Sequence, residues 1–221
     1  MTQTRFGHIE VDDGVYAPQD DSWLLCEALD GVPVAGRRVL DICTGSGILA
    51  IEAALMGAAE VIAYDISPLA VACASRNARR AGVRVDARVG TLDDARRAGP
   101  FDVVVSNPPY VPSDAPLRGT GPNRAWDAGA DGRVVLDQLC DLAPDLVAPG
   151  GSMLIVHSEF SDPPQTIRRL EQAGFESRQV AARVVGFGPV MHAYADRLEA
   201  AGLLEPGRRT EELVVIRVDR R

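Results

Sequence analysis

Short apolar strand patterns alternate with amphipathic helix patterns along almost the whole chain, and this alternation is its tightest constraint on fold. Residues 22–29 read as a short amphipathic helix led by Gln19, Asp20 and Asp21, and 38–42 as a strand. Residues 47–56 read as a helix with a small, apolar inner face, and 60–64 as a strand ended by Asp65. Ser67 and Pro68 suit a helix cap and a first turn, so a helix runs from there to about Ala81 and stops at Gly82. Residues 83–89 alternate apolar and polar, as a half-exposed edge strand does. A buried parallel strand follows over 101–106, then a long loop over 107–130 rich in Pro, Gly and Asp. A helix over 132–147, strand 152–157, helix 164–173, strand 177–185, helix 189–203 and strand 213–218 complete the pattern. Such alternation predicts an α/β fold with helices on both faces of a mainly parallel sheet.

Composition removes several classes of function. A chain of 221 residues suits one large domain, and we expect a single domain over 1–221. The net charge of −8 is a poor field for holding nucleic-acid phosphates. All 23 basic residues are arginine, which excludes Schiff-base and P-loop lysine chemistry. Cys26, Cys43, Cys73 and Cys140 have no C-x-x-C spacing and lie far from the three histidines, so no metal site is expected. No apolar run reaches the ~18 residues of a membrane span and no signal core is evident, so a soluble, cytoplasmic protein is expected.

Two segments carry chemistry. Asn107-Pro108-Pro109-Tyr110 ends the 101–106 strand, at the sheet edge where open α/β folds bind ligands. Each proline holds the preceding residue extended. The Asn107 side-chain oxygen and the Pro108 carbonyl then become two fixed acceptors, matched to the two donors of a planar –NH₂ group. Tyr110 offers a flat face beside it. The other reading is a proline-stiffened loop. Upstream, Asp41-Ile42-Cys43-Thr44-Gly45-Ser46-Gly47 turns from strand to helix, and Gly45-x-Gly47-x-x-Ala50 matches the dinucleotide fingerprint. Asp41 at the mouth of that turn would repel a pyrophosphate but suits the ammonium and sulfonium of S-adenosylmethionine (SAM). Asp65 suits ribose hydroxyls with either ligand, and Thr91 with Leu92 would flank an adenine. Each has a structural alternative: Asp41 capping the turn, Asp65 capping its helix, Thr91 simply ending a strand.

In this order and spacing, Asp41-x-x-x-Gly45-x-Gly47, Asp65 and Asn107-Pro108-Pro109-Tyr110 resemble class I SAM-dependent amino-methyltransferases. More closely, the chain resembles the HemK/PrmC family of glutamine methyltransferases acting on peptide-chain release factors. The resemblance extends to Val15-Tyr16-x-Pro18-x-Asp20-Asp21-Ser22, similar to the short, single-domain branch, and to Ala125 through Arg133. It implies a Rossmann-like, doubly wound, mostly parallel seven-stranded sheet with an antiparallel last strand. It implies a SAM site made by Ser22, Asp41, Cys43, Thr44, Gly45, Gly47, Asp65, Ile66, Thr91, Leu92 and Asn107. Asn107, Pro108, Pro109 and Tyr110 would hold the substrate amide, with no metal involved. It also implies a small zinc-binding activator that could dock on the 83–89 edge strand.

Three departures stand out. Cys43 replaces the usual first glycine, which predicts a slightly tighter turn. Thr91 replaces an acid beside the adenine, with Asp93 and Asp94 shifted. Residues 1–35 form only a leading segment and helix, and 187–209 read as an addition before the last strand. Two rival acceptors share the planar amine. One is adenine in nucleic acid, disfavoured by the mixed charges Asp114, Arg118, Arg124, Asp127, Asp131 and Arg133. The other is a small molecule or peptide of a biosynthetic pathway. An NAD(P) oxidoreductase lacks an acid of the needed kind near the loop.

Overall fold

A computed structural model describes residues 9–112, 126 and 128–221. Seven strands form one sheet in the order β3-β2-β1-β4-β5-β7-β6. They are β1 (Arg38–Ile42), β2 (Glu60–Asp65), β3 (Asp86–Val89), β4 (Phe101–Ser106), β5 (Val147–Ser158), β6 (Glu176–Gly186) and β7 (Thr210–Asp219). β1 to β5 pair in parallel, and β7 runs antiparallel between β5 and β6. The helices are α1 (Asp20–Leu29), α2 (Ile48–Leu55), α3 (Pro68–Arg80), α4 (Leu92–Ala98), α5 (Val134–Leu146), α6 (Pro163–Gln172) and α7 (Pro189–Ala200).

Strand periodicity sorts the core into two layers. Val39, Val61, Val103, Leu154 and Val215 pack beneath α1 and α2, with Leu24, Leu25, Leu29 and Leu49. Their neighbours Leu40, Ile62, Val104, Met153 and Ile216 face the opposite way, onto Leu136, Leu139 and Leu146 of α5 and Leu170 of α6. The central strands are apolar on both faces because both faces are covered. A third, smaller cluster joins Val111 to Phe187, Met191, Ala195, Leu198 and Leu204 around α7.

The expected strands and helices are present, with four main differences, one being that β7 starts at Thr210 and not at residue 213. The edge strand starts at Asp86, not residue 83. β5 begins at Val147, and Pro149-Gly150-Gly151 lie within it, where its register against β4 shifts. Residues 92–98 form α4, which sequence patterning did not reveal. Of the 107–130 loop, residues 113–125 and 127, with Asp114, Arg118, Arg124 and Asp127, lie outside the described residues.

Candidate active site

The sheet order reverses between β1 and β4, and their carboxyl ends form the crevice where such folds take ligands. Ile42 pairs with Ser106, so Cys43 and Asn107 leave the sheet side by side. Ser106 Oγ donates to the Ile42 carbonyl at 2.8 Å and ties the two exits together.

Asp41 closes the first exit and is fully buried. Its Oδ2 accepts from Thr44 Oγ at 2.5 Å and from the Ala50 amide at 3.0 Å, so it caps the turn. Its Oδ1 is buried with no partner among the described residues. Burial pushes the carboxyl up to about 7 and nearby Asp65 adds to this, while the Thr44 and Ala50 bonds pull it down. An orphaned, buried carboxylate oxygen fits a cationic ligand. Cys43 takes the left-handed conformation (φ +64°) that a glycine adopts freely. The turn therefore accepts its side chain at a cost of about 1 kcal/mol in strain. The thiol is pushed far up by burial, then by Asp65 and Asp41. Gly47, at φ +87°, heads α2, where a Cβ would stand 2.8 Å from Ala74 Cβ of α3.

Asp65 ends β2. Its Oδ2 accepts from the Gly45 amide and its Oδ1 from the Ser67 amide, each at 2.9 Å. It thus braces the glycine turn and its own following turn, with the Ile66 amide also directed at the carboxylate. Burial raises its pKa, opposed by those amides. Ile66 beside it is 47% exposed, an apolar surface next to the acid. Thr91 is not a plain strand end. It caps α4 in a reciprocal box with Asp94, whose Oδ2 accepts from the Thr91 amide and hydroxyl, both at 2.8 Å. Leu92 packs on the α5-side core.

Asn107 Nδ2 donates to Ser22 Oγ at 3.3 Å. Pro108 is buried and Pro109 half-buried. Tyr110 touches all three apolar clusters, and its hydroxyl donates to Asp21 Oδ2 at 3.0 Å. Burial, then Asp21, raises the Tyr110 pKa well above the usual phenol value. Asp21 and Tyr16 were absent from the expected site, although their segment was part of the resemblance. Asp21 comes to it in the first turn of α1, and Tyr16, ahead of that helix, through its bond to Asp21.

Two more buried groups stand near the site: Glu211, which the sequence did not mark, and Arg133, which it marked only as the end of the family-like segment and as a loop charge. Glu211 lies at the start of β7, which being antiparallel begins at the ligand-binding edge. It is 5% exposed, its Oε2 lacks a partner among the described residues, and burial lifts it to about 7. Arg133 is 3% exposed and pins the end of the post-NPPY segment, donating to Asp137, Thr166 and the Ser161 and Asp162 carbonyls. Just before it, Gly132 (φ +71°) lies against the Tyr110 carbonyl, which also accepts from Ser161 Oγ at 2.6 Å. Any side chain at 132 would strike that carbonyl and stand 2.8 Å from Ser161 Oγ. These contacts give a steric reason for glycine at 132.

Among known proteins, the family model for ribosomal protein L11 methyltransferase matches residues 23–108. The chain is 35% identical to a putative protein N5-glutamine methyltransferase of Methanocaldococcus jannaschii, over 83% of this chain and 92% of that protein. It is 32% identical to methyltransferase HEMK2 of Mus musculus, over 78% of this chain and 85% of that protein. Among solved structures it resembles the E. cuniculi Mtq2–Trm112 complex, responsible for methylation of the eRF1 translation termination factor. That match has a TM-score of 0.62 at 23% identity, covering 94% of this chain and 99% of that one.

Proposed function

We propose, from the premise that this chain belongs to the protein N5-glutamine methyltransferase family, that it methylates the side-chain nitrogen of a glutamine in a peptide-chain release factor. The enzyme is a SAM-dependent N-methyltransferase. The observation that supports the acceptor most is the Asn107 amide, whose nitrogen is committed to Ser22 and whose oxygen is left to accept.

Bound SAM supplies a methyl group made electrophilic by its sulfonium. Asp41 would hold the ligand's ammonium, with the Cys43, Thr44, Gly45 and Gly47 turn close against it. Asp65 would accept from the ribose hydroxyls, with Ile66 and Leu92 giving apolar flanks to the adenine and Ser22 nearby. Thr91 would act there through its backbone, its hydroxyl being spent on Asp94. Asp65→Ala is expected to weaken SAM binding about tenfold by calorimetry; unchanged affinity would remove Asp65 from the ribose.

A glutamine amide nitrogen is a poor nucleophile because its lone pair is delocalised. Asn107 Oδ1 and the Pro108 carbonyl would take its two N–H groups, turn the nitrogen toward the methyl carbon and favour the charge it gains. No strong base is required, because the nitrogen becomes acidic once methylated. Tyr110 would close one side of the amide slot, and the 187–209 segment, through Val111 and Phe187, would back it. The free edge β3, with Val89 55% exposed, is the surface we assign to a small zinc-binding activator docking by strand addition. No described helix is long and apolar enough to cross a membrane. Acting on a release factor would place the enzyme in the cytoplasm.

The test is methyl-labelled SAM with the host's release factor, beside host RNA and a small-molecule fraction. Label on the factor that disappears when the glutamine of its Gly-Gly-Gln motif becomes alanine supports the reading. Label on RNA or on small molecules alone overturns it.

A further inference from the structure

Both ends of the Asn107-Pro108-Pro109-Tyr110 segment lead to one carboxylate. Asp21 is 2% exposed in the first turn of α1, where the helix N-terminus favours negative charge. Its Oδ2 accepts from the hydroxyls of Tyr16, at 2.9 Å, and Tyr110, at 3.0 Å. Its Oδ1 accepts from the Ser22 amide at 2.5 Å and from Ser22 Oγ at 3.0 Å. Four donors fill the acceptor sites of one carboxylate.

The consequence lies one bond further on. Ser22 has a single hydroxyl hydrogen, and Asp21 takes it. Toward Asn107, Ser22 Oγ can therefore only accept, and it faces Nδ2 at 3.3 Å. If the Asn107 amide flipped, its oxygen would meet the lone pairs of Ser22 with no hydrogen between them. The carboxylate thus decides which end of the Asn107 amide faces the substrate. We propose that Asp21 is a positioning residue for methyl transfer: acting through Ser22, it locks Asn107 Oδ1 as the acceptor presented to the substrate nitrogen, while its bond to Tyr110 fixes the other end of the segment. The inference rests on the amide-methylation reading above, and it goes beyond it by assigning the group that orients Asn107.

The test compares the full chain with Asp21→Asn, Ser22→Ala and the double variant, using the release factor as acceptor. An asparagine at 21 keeps the shape, with its oxygen on the Ser22 amide and its –NH₂ toward the two tyrosine hydroxyls. A neutral oxygen holds the Ser22 hydrogen less firmly than a carboxylate does, so the hydroxyl can turn toward Asn107, and Tyr110 loses its acceptor. Asp21→Asn is expected to lower kcat about fivefold or more, with the acceptor KM, SAM affinity and melting temperature close to those of the unaltered chain. Ser22→Ala is expected to cost a similar factor, and the double variant no more than about the worse single one, because both act through one amide. A kcat for Asp21→Asn within about twofold of the parent, or two losses that multiply, overturns the proposal. So does a loss that tracks lowered stability and lost SAM binding, which would make Asp21 structural. If the unaltered chain labels no glutamine, the amide reading falls and this inference with it. If it labels glutamine and Asp21→Asn is equally fast, only the inference falls.

Discussion

Asn107→Ala is expected to reduce methyl transfer at least 100-fold while SAM binding weakens only a few-fold. One acceptor placed for charge that develops in the transition state is worth about 3 kcal/mol of barrier, which is about two orders of magnitude in rate. The loss should fall on kcat, because Asn107 and Pro108 act by aiming a lone pair and favouring charge that the resting amide does not carry. Asn107 follows β4, beside the β1 exit but on the opposite side of the crevice from Asp65 of β2. Removing its side chain leaves the Asp41 and Asp65 bonds in place. Single-turnover rates with labelled SAM, alongside calorimetric SAM affinity, decide the matter. Near-normal rates in Asn107→Ala would sink the assignment of the segment to the acceptor amide.

The parallel core was legible because its signal is local. β1, β2 and β4 are apolar on both faces, and each is followed by a turn whose residues state its geometry. What failed to show was short, polar or assembled in space. α4 buries only Ala95, so it has no apolar stripe to read. Its one signal, Thr91-x-x-Asp94, is a capping box, and it competes with the reading of Thr91 as an adenine contact. Pro149-Gly150-Gly151 have the composition of a turn and hide the start of β5, yet the strand passes through them with a register shift. Asp21 lay beyond sequence reasoning for another reason. Its partner Tyr110 is 89 residues away, and nothing in the spacing of the two tyrosines tells that they share an acceptor. The positions of Asp41 and Asn107 in the fold were legible because the end of a strand fixes where each stands. What they bond to is a matter of tertiary packing.

SAM affinity is expected to depend on pH through Asp41. Burial lifts this carboxyl to about 7, with Asp65 and Cys43 the other titratable groups close to it. A ligand ammonium favours the ionised form, so binding must draw the bound pKa below the free one and release a proton. Below about pH 7 the free protein holds that proton, and the dissociation constant should rise up to tenfold for each unit of pH lost. It flattens once pH falls through the pKa of the bound state. Above about 8 the ligand's own α-amino group loses its charge and affinity falls again, since its ordinary pKa is about 7.7–8.0. Calorimetry at pH 6 in two buffers of different ionisation enthalpy would count the proton directly. Asp41→Asn is expected to weaken SAM binding about 100-fold at pH 7.5 and to abolish the acid limb, because a neutral amide neither attracts the ammonium nor titrates. The same linkage works on folding with its sign reversed from the usual carboxylate. A carboxyl raised from 3.8 to about 7 on folding binds its proton more tightly in the native state. Its contribution to stability is therefore full below pH 3.8 and is lost as pH rises to about 7. SAM, by stabilising the ionised form, should restore stability in that upper range. The melting temperature should gain more from saturating SAM at pH 7.5 than at pH 5.5 in the unaltered chain, and equally at both in Asp41→Asn. A pH-independent affinity in the unaltered chain would show that Asp41 serves only to cap its turn through Thr44 and Ala50.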